Sequence, residues 1–516
     1  MSFRVALQTM FLCIFLLAIG SNNAQAQDTA EECANLKSTL RLENTTILAS
    51  DYISTRTTVS TPGSCGATTT VAFPPLCRVQ LIVNTTMTSS VHAEAWLPDT
   101  WFGRFLALGN GGNNGCIDYA GLGYGTSLHF ASIASDNGHD GSGGLPFLNH
   151  PEVINDFAFR AIHVEALIGK ALVRAYYGAP PTKSYYLGCS TGGRQGTQAA
   201  LKFPEDFDGI VAGSPATDWN HLQGWSGMLS HFVGSPNITN NPKFLTPGDW
   251  AAVSAEILRQ CDALDGVMDG IIAEPDDCQL DADVLLCAQE QTEGCLTATQ
   301  VKTVKNVFSP LLGENGELLY PRYSPGAEAD AGRAAILGGP FFSICADWER
   351  YAVLNVTDHD FTNFGLFDVK LMDQVNAGGI RTFDGDLSSF RERGGKFITY
   401  HGRRDPLISS TNSKRVYDLV QSTLGDSIDD FYRLFLIPGM GHCGGGVGPT
   451  SFGQGTTSNI VNTSSHNVLL AIVDWVENGL APATIIGSTT NGSAERTFCR
   501  YPMQSVWDGT KFVCVQ

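Results

Sequence analysis

The stretch Ser184-Tyr-Tyr-Leu-Gly188-Cys189-Ser190-Thr191-Gly192-Gly193 decides the fold. It joins a strand-like run to the pattern G-x-S-x-G, and a helical pattern follows. Where a strand turns this sharply into a helix, a Cβ atom at the flanking positions would clash, so glycine is needed there. The turn exposes the serine hydroxyl, and the helix N-terminus stabilises negative charge beside it. The stretch therefore predicts that Ser190 is a catalytic nucleophile, and a glycine-rich turn without catalysis is the alternative.

Strand-like and helical runs alternate on both sides of this stretch from about Val71 onward. Such alternation is typical of a parallel or mixed α/β sheet covered by helices. The predicted strands are 79–84, 92–97, 104–108, 130–135, 184–187, 209–212, 396–400 and 432–437. Apolar residues at helical spacing predict helices over 154–177, 192–203 and 467–477.

The middle of the chain interrupts this alternation. Residues 219–390 contain acidic turns, many aromatic residues and four cysteines close together. We interpret them as a second domain inserted into the first, which leaves residues 27–218 and 391–516 as the catalytic core. With 43% hydrophobic residues, the 516-residue chain is long and apolar enough to form more than one domain.

Two later strand ends supply an acid and a base. Phe397-Ile-Thr-Tyr400 leads into a turn that contains Asp405, and Leu434-Phe-Leu-Ile437 leads into a glycine-rich turn that contains His442. A serine nucleophile needs a base, and the base needs an orienting acid. Where the serine lies on such a strand-to-helix turn, the acid and the base both follow it along the chain, the acid before the base. We therefore expect Ser190, Asp405 and His442 to form a triad.

Three other histidines fit the role of the base less well. His139 follows a predicted strand but precedes the serine, and His163 lies within a helical run. His401 is interpreted as a structural residue of a turn.

Two cysteines adjoin the predicted triad. Cys189 immediately precedes Ser190, and Cys443 immediately follows His442. A folded triad would bring the two sulfur atoms within bonding distance. We therefore predict a disulfide that ties nucleophile and base together, although two unrelated cysteines remain the alternative.

An oxyanion hole needs two backbone N–H donors. One is expected from Thr191, the residue after the nucleophile. The glycine-rich run Gly109-Asn110-Gly111-Gly112-Asn113 follows an early predicted strand, where esterases carry the second donor. We assign that donor to Gly112, and a plain flexible turn is the alternative.

The predicted inserted domain contains an acidic loop, Cys261-Asp262-Ala-Leu-Asp265-Gly-Val267-Met-Asp269-Gly-Ile271. Three carboxylates with glycines between them can surround a hard cation, and the carbonyls of Val267 and Ile271 add the oxygen ligands that calcium prefers. The spacing is not that of an EF-hand. We therefore predict a structural calcium site of Asp262, Asp265, Val267, Asp269 and Ile271. The alternative is a solvated acidic turn.

The N-terminus predicts export. Arg4 is the only charged residue before Asp28, an apolar run covers residues 10–19, and Ala24-Gln25-Ala26 matches a signal-peptidase site. Residues 1–26 are therefore predicted to be a cleaved signal peptide, since the apolar run is short of the ~20 residues that span a bilayer. We expect a secreted protein with no membrane segment. Six glycosylation sequons agree with this, at Asn44, Asn84, Asn237, Asn355, Asn462 and Asn491.

Charge and cysteine content limit the possible partners and set the disulfide count. A net charge of −19 argues against nucleic-acid binding, which requires a basic face. Of the 14 cysteines, Cys13 lies in the signal peptide, so an oxidising compartment allows up to six disulfides and one free thiol. Short loops favour three local pairs: Cys261 with Cys278, Cys287 with Cys295, and Cys499 with Cys514. Cys345, in an apolar run, is predicted to be the buried free thiol.

These motifs together resemble the tannase and feruloyl esterase family of fungal secreted serine esterases, and within it the type B feruloyl esterases. The resemblance rests on GNGG at 109–112, YLGCSTGGRQG at 186–196, CDALDGVMDGII at 261–272, ITYHGRRDPLIS at 398–409 and IPGMGHCGGG at 437–446. It extends from about Cys33 to Cys514. It implies an α/β-hydrolase core with a large inserted lid, a calcium ion in the lid, the triad and the Cys189–Cys443 bridge. It also implies two further pairs, Cys33 with Cys77 and Cys65 with Cys116.

The resulting hypothesis is an esterase that hydrolyses hydroxycinnamoyl esters, either small phenolic esters or feruloylated cell-wall oligosaccharides. Tannase activity on galloyl esters is the alternative within the family. A non-catalytic protein that binds phenolics or glycans on a hydrolase scaffold is the alternative from another class. Six lid aromatics are candidate walls for the acyl group, although each fits a lid core equally well: Trp219, Trp225, Phe232, Phe341, Phe342 and Trp348.

Overall fold

The computed structural model describes residues 29–289, 291, 294–425, 427–455 and 461–516. The predicted signal peptide lies outside the described residues. Within them, none of the helices combines the length and apolar character needed to cross a bilayer.

A mixed nine-stranded sheet forms the centre of the molecule. Its strands are β1 (Thr45–Ile53), β2 (Leu76–Asn84), β3 (Ser90–Pro98), β4 (Arg104–Leu108), β5 (Ala131–Ser135), β6 (Lys183–Cys189), β7 (Gly209–Gly213), β8 (Lys396–Gly402) and β9 (Tyr432–Ile437). They lie in the order β1-β2-β3-β5-β4-β6-β7-β8-β9. The first three pairings in this order are antiparallel, and the remaining five are parallel. This is the α/β-hydrolase arrangement, and it confirms the predicted fold class.

Helices cover both faces of the sheet. Strand β7 is buried along its whole length, as expected for a parallel strand between two helical layers. One hydrophobic cluster contains residues of Ala161–Tyr177, and another contains residues of Val468–Asn478 on the opposite face. The helices of the core segments are 29–39, Tyr119–Ser127, Pro151–Asn155, Ala161–Tyr177, Thr191–Lys202, Thr411–Leu424 and Val468–Asn478, with a π-helical turn at Asp156–Arg160.

The segment 219–390 is mainly helical. Its helices are Trp219–Phe232, Pro247–Cys261, Ala298–Val307, Ala334–Leu337, Ser343–Asp347, Leu366–Val375 and Ser388–Glu392, with a π-helical turn at Trp348–Val353. Thr246 and Asp249 form a capping box at the start of Pro247–Cys261, which satisfies N–H groups of the first turn. The apolar residues of this segment form a hydrophobic cluster that also includes Phe147 and Phe157, so the segment packs against the chain that precedes Ser190.

Among the described residues, four two-stranded sheets lie outside the central sheet. They pair Thr57–Ser60 with Thr69–Ala72, Leu311–Leu312 with Leu318–Tyr320, Thr484–Ser488 with Glu495–Cys499, and Gln504–Trp507 with Phe512–Val515.

All six predicted disulfides are present in the structure: Cys33–Cys77, Cys65–Cys116, Cys189–Cys443, Cys261–Cys278, Cys287–Cys295 and Cys499–Cys514. Among the described residues, Cys345 is the free cysteine, and it is buried, as predicted.

Candidate active site

Ser190 lies on a strained turn between β6 and the helix Thr191–Lys202. Its backbone has φ +63° and ψ −121°, which is an unusual conformation for a residue with a side chain. A Cβ atom at Gly188 would lie 2.7 Å from the carbonyl carbon of Gly192, and one at Gly193 would lie 2.5 Å from the oxygen of Gly213. Glycine is therefore required on both sides of the serine, in agreement with the sequence argument.

Asp405 and His442 meet beyond the ends of β8 and β9. His442 Nδ1 lies 2.8 Å from Asp405 Oδ2. The other carboxylate oxygen, Oδ1, accepts hydrogen bonds from the N–H groups of Leu407 and Ile408 at 2.8 and 3.0 Å. The Asp405 side chain is completely buried, whereas the His442 side chain is 20% exposed. The carboxylate is thus fixed from two sides and orients the imidazole.

Ser190 and His442 line one small cavity of about 30 Å³. The structure therefore brings the serine, histidine and aspartate together, although 215 residues separate Ser190 from Asp405 in the chain. A serine, an imidazole and a buried carboxylate in this order are the elements of nucleophilic acyl transfer.

His401 also contacts Asp405, which the sequence interpretation missed. It lies in strand β8, not in a turn, and its Nε2 lies 3.2 Å from Asp405 Oδ2. Its Nδ1 lies 2.7 Å from Ser413 Oγ. The sequence signal that could have indicated this contact was the position of His401, four residues before Asp405. We conclude that His401 helps to position the carboxylate.

Electrostatic coupling shifts the pKa of both members of the acid–base pair. Burial raises the pKa of Asp405, but the nearby His442 and His401 outweigh burial and hold that pKa well below its usual value. Burial lowers the pKa of His442, but the Asp405 carboxylate outweighs it, and Asp330 adds to the effect. The pKa of His442 therefore lies above the ordinary histidine value of about 6.5.

The glycine-rich loop after β4 lies beside the serine. Thr191 Oγ1 donates a hydrogen bond to the Gly112 carbonyl at 2.8 Å, and both residues line the cavity with Ser190. Gly112 has φ +52°. His139, which the sequence analysis judged a weaker candidate for the base, contacts this loop. Its Nε2 lies 2.9 Å from the Asn113 carbonyl oxygen. The structure therefore brings together the two residues assigned to the oxyanion hole.

The Cys189–Cys443 disulfide connects the residues next to Ser190 and His442. Its Cα atoms are 5.9 Å apart across a sequence separation of 254 residues. A covalent link at this point restricts the distance between Ser190 and His442.

Two of the six candidate aromatic walls line the cavity, namely Trp219 and Phe342. The other four, Trp225, Phe232, Phe341 and Trp348, belong to the hydrophobic cluster of segment 219–390 or pack against it. Further apolar walls come from Leu222, Ile344, Leu407 and Ile408, and polar groups from Gln223 and Ser226. None of these four apolar residues was predicted, because side chains from three distant segments meet only in the folded chain.

In the acidic loop, the three carboxylates accept hydrogen bonds from backbone N–H groups of the loop itself. Asp262 accepts from the N–H of Gly270, Asp265 from Val267, and Asp269 from Ile271, each at 3.0 Å. The second oxygen of Asp265 is buried and has no hydrogen-bond partner among the described residues. Arg496 Nη2 lies 4.0 Å from this oxygen, which is an ion-pair distance without a hydrogen bond. A buried carboxylate oxygen that lacks a hydrogen bond in such a loop fits a bound cation.

Comparisons with known proteins agree with this geometry. The family model described as tannase and feruloyl esterase matches residues 77–516. A protein of Neosartorya fischeri named probable feruloyl esterase B-2 is 42% identical over 509 residues, with 96% of both chains covered. A protein of the same name from Aspergillus oryzae is 43% identical over 508 residues, again covering 96% of both chains.

Solved structures extend the likeness to the fold. The crystal structure of feruloyl esterase B from Aspergillus oryzae matches with a TM-score of 0.91 and 39% identity, and covers 94% of this chain and 100% of that one. The tannin acyl hydrolase of Aspergillus niger has a TM-score of 0.73 at 24% identity, covering 95% of this chain and 96% of its own, which shows a shared fold.

Proposed function

The chain belongs to the tannase and feruloyl esterase family and is a carboxylic ester hydrolase; on this premise we propose that it hydrolyses hydroxycinnamoyl esters. The observation that carries the proposal is the shared cavity of Ser190 and His442, with Asp405 holding the imidazole and apolar side chains around them. The substrates are small phenolic esters or feruloylated oligosaccharides of plant cell walls.

The proposed reaction proceeds through an acyl-enzyme. Ser190 Oγ attacks the ester carbonyl carbon while His442 Nε2 accepts its proton, and the N–H groups of Thr191 and Gly112 stabilise the oxyanion. The C–O bond to the alcohol then breaks, and His442 protonates the departing oxygen. Water attacks the acyl-enzyme by the same route and releases the free acid and the serine. Asp405 remains ionised throughout and stabilises the imidazolium.

The cavity walls are mainly apolar, which suits an aromatic acyl group with few polar contacts. A volume of about 30 Å³ is far below the roughly 300 Å³ of small-ligand pockets, so an aromatic acyl group must move the apolar walls apart to bind. Two cavity residues carry buried polar atoms without partners among the described residues, Trp219 Nε1 and Gln223 Oε1. Both atoms are buried, so they become a donor and an acceptor for the ring substituents only when the walls move apart.

Rates on three methyl esters test the proposed substrate class. We expect kcat/KM for methyl ferulate or methyl caffeate to exceed that for methyl gallate, because a cinnamoyl group carries a longer apolar spacer between ring and carbonyl. A preference for methyl gallate would establish tannase activity instead. Absence of turnover on every phenolic ester would support the non-catalytic binding protein.

The raised pKa of His442 predicts the acid limb of the pH profile. The base must be neutral to accept the serine proton, so kcat/KM should fall as the pH drops through the His442 pKa. Because Asp405 raises that pKa, the midpoint should lie above about 6.5. Initial rates between pH 5 and 9 measure it, and a midpoint below this value would contradict the assigned coupling.

Replacing Gly112 with alanine should lower kcat about 10- to 100-fold, as expected when an oxyanion donor is displaced. A Cβ atom there would lie 3.3 Å from Ile344 Cδ1, at a positive φ that disfavours alanine. Gly111→Ala is the matched control. A Cβ atom there would lie 3.6 Å from the nearest atom, and the φ of Gly111 is not positive. Equal kcat values for the two variants would remove Gly112 from the oxyanion hole.

We also propose that the protein is secreted and glycosylated. The support consists of the N-terminal pattern, the sequons and the six disulfides, which form in oxidising compartments. Mass spectrometry of the protein from a eukaryotic culture medium tests it. Mature chains should begin near residue 27 and lose mass when N-glycans are removed.

A calcium ion in the acidic loop is a further proposal. Asp262, Asp265 and Asp269, with the carbonyls of Val267 and Ile271, would hold it, and the ion would supply positive charge that stabilises the loop. Elemental analysis after dialysis without chelator should find about one calcium per chain. The melting temperature should fall when calcium is removed and recover with calcium but not magnesium.

Asp265→Asn should lose most of the calcium, whereas Asp281→Asn should keep it. Asp281 caps a short turn of the same segment and lies outside the loop. A calcium-free wild type that is fully folded would refute the site.

A further inference from the structure

A second group of metal-ligating side chains lies in the lid, outside the acidic loop. Glu349, His359 and Asp368 each offer one ligand atom, and these atoms lie within 4.8 Å of one another. Among the described residues, no other group of three histidine, cysteine or acidic side chains meets this distance. The arrangement of these three side chains therefore differs from that in the acidic loop, whose carboxylates accept hydrogen bonds from backbone N–H groups.

Glu349 is the observation that points to a ligand. Its side chain is completely buried, and neither carboxylate oxygen has a hydrogen-bond partner among the described residues. A buried carboxylate without partners is strongly destabilising unless a cation or a proton compensates it. Arg350 is a nearby positive charge, but its guanidinium stacks over Phe361 at 5.2 Å. The carboxylate therefore needs either a further positive partner or a proton.

The neighbours of Glu349 fit a metal ion. His359 Nε2 lies 3.7 Å from Glu349 Oε1. An ion held about 2.1 Å from each atom in tetrahedral geometry needs them about 3.4 Å apart, so a small side-chain movement is sufficient for this pair. The three ligand atoms lie within 4.8 Å of one another, so the third ligand needs a movement of up to about 1.4 Å. The His359 ring packs edge-on against Phe361, which fixes its direction. One carboxylate oxygen of Asp368 accepts a hydrogen bond from the N–H of Gly365, at the start of the helix Leu366–Val375.

The backbone at Glu349 is also unusual. Glu349 lies in the π-helical turn Trp348–Val353, which continues the helix Ser343–Asp347. Such turns occur frequently at functional sites. The same helix carries Ile344, a wall of the active-site cavity. An ion at Glu349 would thus join this wall to the helix that begins after Gly365.

We propose that Glu349, His359 and Asp368 bind a divalent transition-metal ion, with Zn²⁺ as the representative, at a structural site in the lid. One imidazole and two carboxylates suit such ions, and a water molecule completes the coordination. The competing account is a metal-free pair in which Glu349 is protonated and shares its proton with Asp368. Burial and the Asp368 carboxylate raise the pKa of Glu349 to about 8, which both accounts accommodate.

The test is zinc titration of the full secreted protein by calorimetry. The protein is first freed of metal with a chelator and then kept in excess calcium, so that the acidic loop is occupied. Wild type should bind about one Zn²⁺ per chain, and His359→Ala should weaken binding about 100-fold or more. His466→Ala is the matched control, because His466 Nε2 also lies 3.7 Å from a glutamate oxygen, on Glu495, but without a third ligand. Its zinc binding should equal that of wild type.

A second variant separates loss of the ligand from loss of the fold. Glu349→Gln keeps the size of the side chain and removes its charge, so the melting temperature without zinc should not fall. Its zinc affinity should fall as in His359→Ala, and zinc should no longer raise its melting temperature. Absence of zinc binding in wild type would favour the shared proton and overturn the proposal. Unchanged zinc affinity in both folded variants would overturn it as well.

Discussion

Ser190→Ala should lower kcat/KM for methyl ferulate by about 10⁴-fold or more, because no other group in the cavity replaces the nucleophile. The Ser190 backbone is held by its N–H to the Gly213 carbonyl at 2.9 Å and by the flanking glycines. These contacts do not involve the hydroxyl, so the variant should fold normally. A folded protein without turnover is therefore the expected result.

Ser422→Ala is the matched control for this variant. Ser422 is an exposed residue of the helix Thr411–Leu424, and its hydroxyl donates to the Leu419 carbonyl. Its activity should equal that of wild type. Turnover by Ser190→Ala within tenfold of the wild-type rate would exclude the serine mechanism.

Removal of the Cys189–Cys443 bridge, with alanine at both positions, should have the largest effect on stability. The chain-entropy relation for a loop of 254 residues gives a loss of about 5 kcal/mol in the free energy of unfolding. Activity should also fall, because the bridge restricts the separation of Ser190 and His442. Denaturant unfolding and kcat, both measured in excess calcium, test the two effects.

Removal of the Cys499–Cys514 bridge provides the comparison. It closes a loop with a separation of only 15 residues, and neither cysteine lines the cavity of Ser190 and His442, so the loss of stability should be about 3 kcal/mol with unchanged kcat. If both double variants had equal kcat, the Cys189–Cys443 bridge would have no role in the active site. If unreduced peptide mapping found Cys189 paired elsewhere, the structural assignment itself would be wrong.

Strong local patterns predicted the core of the fold well. The strands predicted at 104–108 and 432–437 coincide with β4 and β9, because buried parallel strands read as short apolar runs between turns. Strand β1 was missed, since Thr45–Ile53 is partly exposed and mixes polar with apolar residues. The helices of segment 219–390 were missed because several are short and depend on packing against aromatic side chains.

The sequence predicted only those parts of the candidate site that local patterns along the chain identify. Ser190, Asp405 and His442 each follow a strand end, and the adjoining cysteines predicted their bridge. The contact of His401 with Asp405 required the side-chain positions at the end of β8. The cavity walls Ile344, Leu407 and Ile408, like the Glu349 cluster, depend on packing between segments that are distant in sequence.

Labelling with a fluorophosphonate tests the central claim, that Ser190 is a nucleophile activated by His442. An activated serine oxygen forms a bond to phosphorus and displaces fluoride, and the adduct remains on the protein. Peptide mass spectrometry should find one modified residue, Ser190, with no labelling of the Ser190→Ala variant and none after denaturation. A wild type that reacts at another residue, or that stays unmodified while it hydrolyses methyl ferulate, would contradict the account.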